Sequence, residues 1–333
     1  DDSAVSNTLA SLNDAAGKLI AAEAASYTEG RLQSARRLGV TPTLASQQSM
    51  NVVNNIVNGN TASRMASLRT KAEAASGVKG AADFGSSDFW TTIKRSRTTV
   101  KNGQYADADV SVTNYQLGYD FRNAENSYFG VYLGMTTGNV KSNGYTTDID
   151  QAYNLGVYGT RMLQRGQYLN YLARFGVMSS KMEDSTWDTS DMGLSLEYGK
   201  KMQYGRDLFF TPYVRLDYDR IRTDAVTYAS GNQASADTVN NVTGKLGFTL
   251  EKNYAAGNSL YFGSAYSHGF SGSSTTYFNQ TALPAVNNDA NVVYVNIGTK
   301  QMLGDTSYLD LNYEKTFLDY DGWSLQAKYN LMF

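Results

Sequence analysis

The 333-residue chain carries a net charge of −2, with 25 Tyr and 30 Gly but only 3 Pro, 1 His and no Cys. That balance leaves no electrostatic footprint for nucleic acid, no His/Cys cluster for a metal and no run of about 18 apolar residues for a transmembrane helix. Mean hydropathy is −0.42, which a strand barrel tolerates because half of each spanning strand faces a polar lumen.

Asp1 stands without Met or leader, so the chain reads as a fragment or a processed product. Zero cysteine suits passage through an oxidising periplasm and equally arises by chance. Val5, Leu9, Leu12, Ala16, Leu19 and Ala22 recur at helical spacing. Gly39 reads as a stop, and Thr41-Pro42 as an N-cap and first-turn restart. A second helical segment is expected from Leu44 towards Ala75, with Asn58-Gly59-Asn60 as a weak point. Arg64, Arg69 and Lys71 make Thr61–Ala75 polar and basic, poorly suited to an apolar core but suited to water or a polar pore. Gly77, Gly80 and Gly85 then loosen the chain, and aromatics, absent between Tyr27 and Phe84, appear every few residues. The composition therefore predicts a helical unit over 1–85 and a strand-rich unit over 86–333.

Twelve alternating runs follow, near 88–98, 109–122, 127–140, 149–163, 167–182, 187–203, 207–222, 237–253, 258–271, 290–303, 306–318 and 322–333. Tyr115, Leu117, Tyr119 and Phe121 oppose Asn114, Gln116, Gly118 and Asp120. In the last run, Trp323, Leu325, Ala327, Tyr329 and Leu331 oppose Ser324, Gln326, Lys328 and Asn330, and the chain ends on Phe333. The polar rows hold Arg122, Arg174, Glu197, Arg215, Asp217, Lys245, Asp310 and Glu314 at mid-strand. A sandwich of two sheets could display such rows outward. Runs of 12–16 residues exceed the usual soluble strand, and tight links alternate with long polar ones, which favours an outer-membrane barrel. Tyr128, Tyr168, Tyr198, Tyr218 and Trp323 are placed for an interfacial girdle. Pro212 falls inside a run, as a bulge or rim position would allow.

With helices ahead of twelve strands and an aromatic end, the chain resembles the translocator domain of classical autotransporters, the type V secretion proteins of Gram-negative bacteria. Arg64-Met65-Ala66-Ser67-Leu68-Arg69 resembles the family's R-x-x-x-[LIM]-R element before the barrel. Tyr329, Leu331 and Phe333 match the terminal signal read by the barrel assembly machinery. The resemblance implies an all-β transmembrane barrel with an α-helix threading its pore, in the outer membrane. It implies export and surface display of an upstream passenger by a monomer that meets lipid, periplasmic chaperones and the assembly machinery, without cofactor. Thr61–Gly77 is long enough to cross an apolar band of about 25 Å, which would leave residues 1–40 at the cell surface. The rival reading is a plain porin or adhesin barrel with periplasmic helices.

Enzyme chemistry is weak. His268, the single histidine, shares an outward row with Phe262 and Phe270, so a hydrolytic triad is not expected. Some relatives cut their own linker between two asparagines, and Asn54-Asn55 resembles that site, although its distance from Arg64-Met65 departs from the pattern.

Overall fold

The computed structural model describes residues 2–75, 87–103, 105–255, 257–287 and 289–332. The glycine-rich stretch 76–86, which holds the expected boundary at 85/86, lies outside the described residues, as does Phe333.

Among the described residues a single helix, α1 (Asp2–Ala75), precedes the strands. The expected stop at Gly39 and break at Asn58-Gly59-Asn60 do not occur, and Pro42 lies inside the helix. The reason is where the helix sits. Residues 40–54 are buried, and a coil there would strand peptide groups without partners. Around Pro42, the Thr43 hydroxyl donates to the Val40 carbonyl (3.2 Å) and Ser46 to the Pro42 carbonyl (2.9 Å). Asn58 and Asn60 spend their amides on the barrel wall instead of on local turns.

The long strands are β1 (Ser87–Val100), β2 (Ala108–Ala124), β3 (Ser127–Ser142), β4 (Tyr145–Met162), β5 (Gln167–Met182), β6 (Ser185–Lys200), β7 (Leu208–Thr223), β8 (Val239–Ala255), β9 (Asn258–Ser271), β10 (Asn291–Met302), β11 (Ser307–Leu318) and β12 (Tyr320–Met332). Each pairs antiparallel with its sequence neighbours. β1 closes the ring on β12, with Phe89 opposite Leu331 and Val100 opposite Tyr320. Closure removes every free edge, the condition for strands in lipid. At one rim the links are short, as at 125–126 and 303–306. The opposite rim carries the long segments 224–238 and 272–290 beside some tight turns, so loop length alternates less strictly than expected.

The alternation resolves as read. Leu117, Leu133, Leu194, Ile297 and Leu325 face outward, while Asn114, Gln116, Asp120, Lys328 and Asn330 are buried inside. Tyr198, Tyr218 and Trp323 are exposed, but Tyr128 and Tyr168 face the bore and are not girdle residues. Each sits at an even position on a strand whose odd positions meet lipid. Pro212 lies where pairing with β6 ends at Tyr213 and a short strand, Met202–Tyr204, takes over at Phe210. Its missing N–H therefore falls at the irregularity that such a residue requires.

Inside β3 and β4 two rings lie over glycines on the neighbouring strand. A Cβ on Gly156 would stand 2.4 Å from the Tyr132 ring, and one on Gly130 would stand 2.4 Å from the Tyr158 ring. Gly156→Ala should therefore cost about 1–3 kcal/mol through overpacking. The check is a lower temperature at which the folded electrophoretic band converts to the unfolded one, partly restored by adding Tyr132→Leu.

Candidate functional site

The site is the bore and the helix in it. From Val40 to Arg69 the helix is buried almost throughout, a length of about 45 Å at about 1.5 Å per residue. The plug thus begins some twenty residues earlier than the expected Thr61–Gly77. The extra turns are enclosed by strands that overshoot the apolar band and by the long loops. There, short strands at Gln233–Ala236 and Thr276–Phe278 pair with each other and pack against the helix. Gln47 donates to Ser274 (3.1 Å), Gln48 to Asn102 (3.0 Å), and Trp187 to Ser46 (2.7 Å).

Below this collar much of the bore is apolar, with Asn51 and Asn54 bonded to Asn241 and Asp191 on the wall; the sequence reading missed this apolar level. Ala45, Met50, Val52 and Ile56 of the helix meet Val110, Val112, Val140, Ile149, Met178, Ile221, Val239 and Val292, drawn from strands around the ring. This gasket was hidden because short inward valines near strand ends do not disturb a polar row.

Towards the short-turn rim the bore becomes charged. Arg64 is fully buried. Its guanidinium donates to Asp120 of β2 (2.6 and 2.7 Å), to Asp88 of β1, to Asn330 of β12 and to Tyr308 of β11 (3.2 Å). Tyr158 donates to the same Asp120 (2.8 Å) and accepts from Trp90 (2.7 Å). One turn away, Asn60 donates to Asn114 and accepts from Gln326 (each 3.1 Å), and Lys328 donates to Ser63 (2.7 Å). The helix thereby ties β12 to β1 and β2 across the seam where the barrel closes. Arg69 lies 3.6 Å over the Tyr168 ring and donates to Asn170 (3.1 Å). The Lys71 side chain lies outside the described residues.

A second cluster surrounds Arg174, which bonds Asp191, Asp219, Asn58 (3.0 Å) and Asn54 (2.6 Å). Asn54 in turn donates to Asp191 (3.0 Å), whereas Asn55 is exposed. Glu197 accepts from Arg215 (2.9 Å), Glu314 pairs with Lys94 (3.3 Å), and Asp310 pairs with Lys328 (3.0 Å). Asp217 accepts from Asn58 (3.4 Å), and Lys245 lies 3.4 Å above the Tyr294 ring. Arg122 is not a lumen charge: it ends β2 and bonds the turn carbonyls of Ala124 (3.3 Å) and Glu125 (2.8 Å), because β2 has by then left the bore. His268 stays on the outward row, with Nδ1 2.9 Å from Asn291 Oδ1 and Phe270 edge-on. Asp88, Asp191 and Lys94 were missed, although strand parity places each on an inward row. Tyr329 and Leu331 lie on the outer face of β12.

The family model for the autotransporter beta-domain matches residues 89–314. The chain belongs to this family. Its barrel is similar to the translocator domain of autotransporter NalP from Neisseria meningitidis, at TM-score 0.65 and 15% identity over 83% of this chain and 98% of that one. It is also similar to the transport unit of AIDA-I from Escherichia coli, at TM-score 0.61 and 13% identity over 74% and 90%. The beta domain of the Bordetella autotransporter BrkA matches at TM-score 0.58 and 19% identity over 74% and 100%. No curated protein sequence matches. An autotransporter beta-domain is an outer-membrane translocator, so the rival porin reading is not favoured.

Arg64→Met removes a buried guanidinium from Asp88 and Asp120. It should cost about 3–5 kcal/mol, read as a fall in the temperature of the folded-to-unfolded mobility shift, and adding Asp120→Asn should recover part of it. Val52→Ser with Ile56→Ser should wet the gasket and raise single-channel conductance in planar bilayers, whereas Lys94→Met should leave it near the parental value.

Proposed function

We propose that the barrel anchors and exports a passenger joined upstream of Asp1, and that α1 is the tether left in the bore once export is complete. The observation that carries this reading is the buried Arg64, bonded to four strands while the helix continues through the gasket and past the long-loop rim. Short turns mark the periplasmic rim of outer-membrane barrels and long loops the outer one. On that rule β1 starts at the periplasm, the helix runs outward towards its N-terminus, and residues 1–39 reach the cell surface. A periplasmic helix would leave the bore empty. The outward Tyr329 and Leu331 on the final strand support delivery by the barrel assembly machinery and periplasmic chaperones, with insertion as a monomer. An epitope tag placed before Asp1 should be reached by antibody on intact cells. A tag reached only after permeabilisation would overturn the reading.

A second reading concerns the linker. The chain performs no multiple-turnover chemistry in this proposal, and the bonds of Asn54 to Asp191 and Arg174 support a single self-cleavage there. Its Nδ2 would attack its own backbone carbonyl, closing a succinimide as the C–N bond to Asn55 breaks. Asp191, which already accepts from Nδ2, would relay the proton to the leaving amine, and Arg174 would polarise the side-chain oxygen. The expected product is a barrel fragment beginning at Asn55 in intact-mass analysis, lost in Asp191→Asn. An uncut linker in the parent protein would remove this reading.

A further inference from the structure

The helix does not sit centrally. It packs against β1–β7 and leaves a cavity of about 190 Å³ on the side of β7–β11. The helix sequence accounts for the gap. Gly59, Ala62, Ser63 and Ala66 line it, all small and on one face by their spacing of three and four. The bulky Arg64, Met65 and Leu68 pack elsewhere on the wall.

The opposite lining is charged and unbalanced. Six cationic side chains border the cavity (Arg69, Lys94, Lys201, Arg215, Lys245 and Lys300) against four carboxylates, Glu197, Glu251, Asp310 and Glu314. Those carboxylates are already engaged. Glu197 takes Arg215, Glu314 takes Lys94, Glu251 takes Lys300, and Asp310 takes Lys328 from outside the cavity. Among the described residues this leaves Lys245 and Arg69 with no carboxylate within ion-pair distance. Each lies over a tyrosine ring instead. A ring face attracts a cation but does not cancel its charge. The charge therefore acts on whatever enters, and low-dielectric walls focus its field.

We propose that this cavity is an anion-binding vestibule: a blind, water-accessible recess beside the seated helix that takes small inorganic anions such as chloride or phosphate. The gasket closes it towards the long-loop rim, and Lys201 and Glu251, near the ends of β6 and β8, mark its short-turn end. Its sign depends on the helix. Removing α1 takes away the positive charges of Arg64 and Arg69 and strips Asp120 of its guanidinium partner, so the emptied bore shifts towards cations. The same barrel thus prefers anions when plugged and loses that preference when open.

The test uses the full chain with Val52→Ser and Ile56→Ser, which gives a measurable leak past the seated helix. Reversal potentials across a potassium chloride gradient in planar bilayers should show chloride preferred over potassium. Adding Lys245→Glu should reverse the preference, and inorganic phosphate should reduce the current only while Lys245 is present. A potassium-preferring leak, or a selectivity untouched by Lys245→Glu, overturns the proposal. A variant counts only if it keeps the heat-modifiable mobility of the folded barrel. Should the leak variants not fold, the parent protein in detergent serves. Inorganic phosphate should then show 31P line broadening that Lys245→Met removes, and absence of broadening with the parent refutes the site. Neither readout involves a passenger, so failure here is separable from failure of the export reading.

Discussion

A guanidinium buried away from solvent must be answered by carboxylates, and that requirement at Arg64 governs much of this molecule. Leaving either partner alone would cost several kcal/mol, so the helix register, its rotation and its depth are set together. Asp88 opens β1 and Asp120 nears the end of β2, while Asn330 lies on β12. These strands adjoin the seam where the ring closes. The side chain that seats the helix therefore also bridges the strands that meet last in sequence. With Asn60 and Ser63 bonded to Gln326 and Lys328, β12 is held from inside as well as by its ladder with β1. Closure of the barrel and docking of the helix are consequently coupled.

A helix can occupy such a bore because its peptide groups satisfy one another, which an extended or irregular segment could not manage away from water. Side chains then need only match the wall locally. They do so in three different ways along one element: amide and hydroxyl bonds at the collar, apolar contacts in the gasket, and ion pairs near the short-turn rim. Over its buried length, Val40–Arg69, no single face of α1 is apolar, because its surroundings change with depth as well as with direction. That is why the helix carries no amphipathic stripe over Thr61–Ala75, and why its face of Gly59, Ala62 and Ala66 leaves water-sized space beside it.

The strands were legible because membrane and lumen impose opposite demands on alternate residues. Leu117 and Gln116 differ in environment by one position, and a dyad pattern is easily read. The family element around Arg64 was also legible, but its partners were not. Parity alone puts Asp88 and Asp191 on inward rows, but which cation each meets emerges only when twelve strands bring them to one axis. Gly39, read as a stop, and Pro42, read as the first position of a new helix, misled for the converse reason. Their local preference for ending a helix is worth about 1–3 kcal/mol, less than the cost of several unpaired peptide groups inside the collar. Arg122 misled because parity assigns a face but not a depth, and at the rim the inward row already meets solvent and turn carbonyls.

The division of the bore into apolar and charged levels has a physical logic of its own. Charged pairs orient a helix well, since their geometry is directional and a misplaced carboxylate is costly. They seal poorly, because each residual charge retains affinity for water and ions. Apolar contacts have the opposite properties: they exclude water whatever the exact rotation, but they discriminate weakly between registers. Setting Arg64 below and Val52 and Ile56 above assigns each task to the interaction suited to it. The charged level selects one helix position, and that position brings Val52 and Ile56 opposite the ring of inward valines, so a gasket with little specificity of its own closes at a defined height.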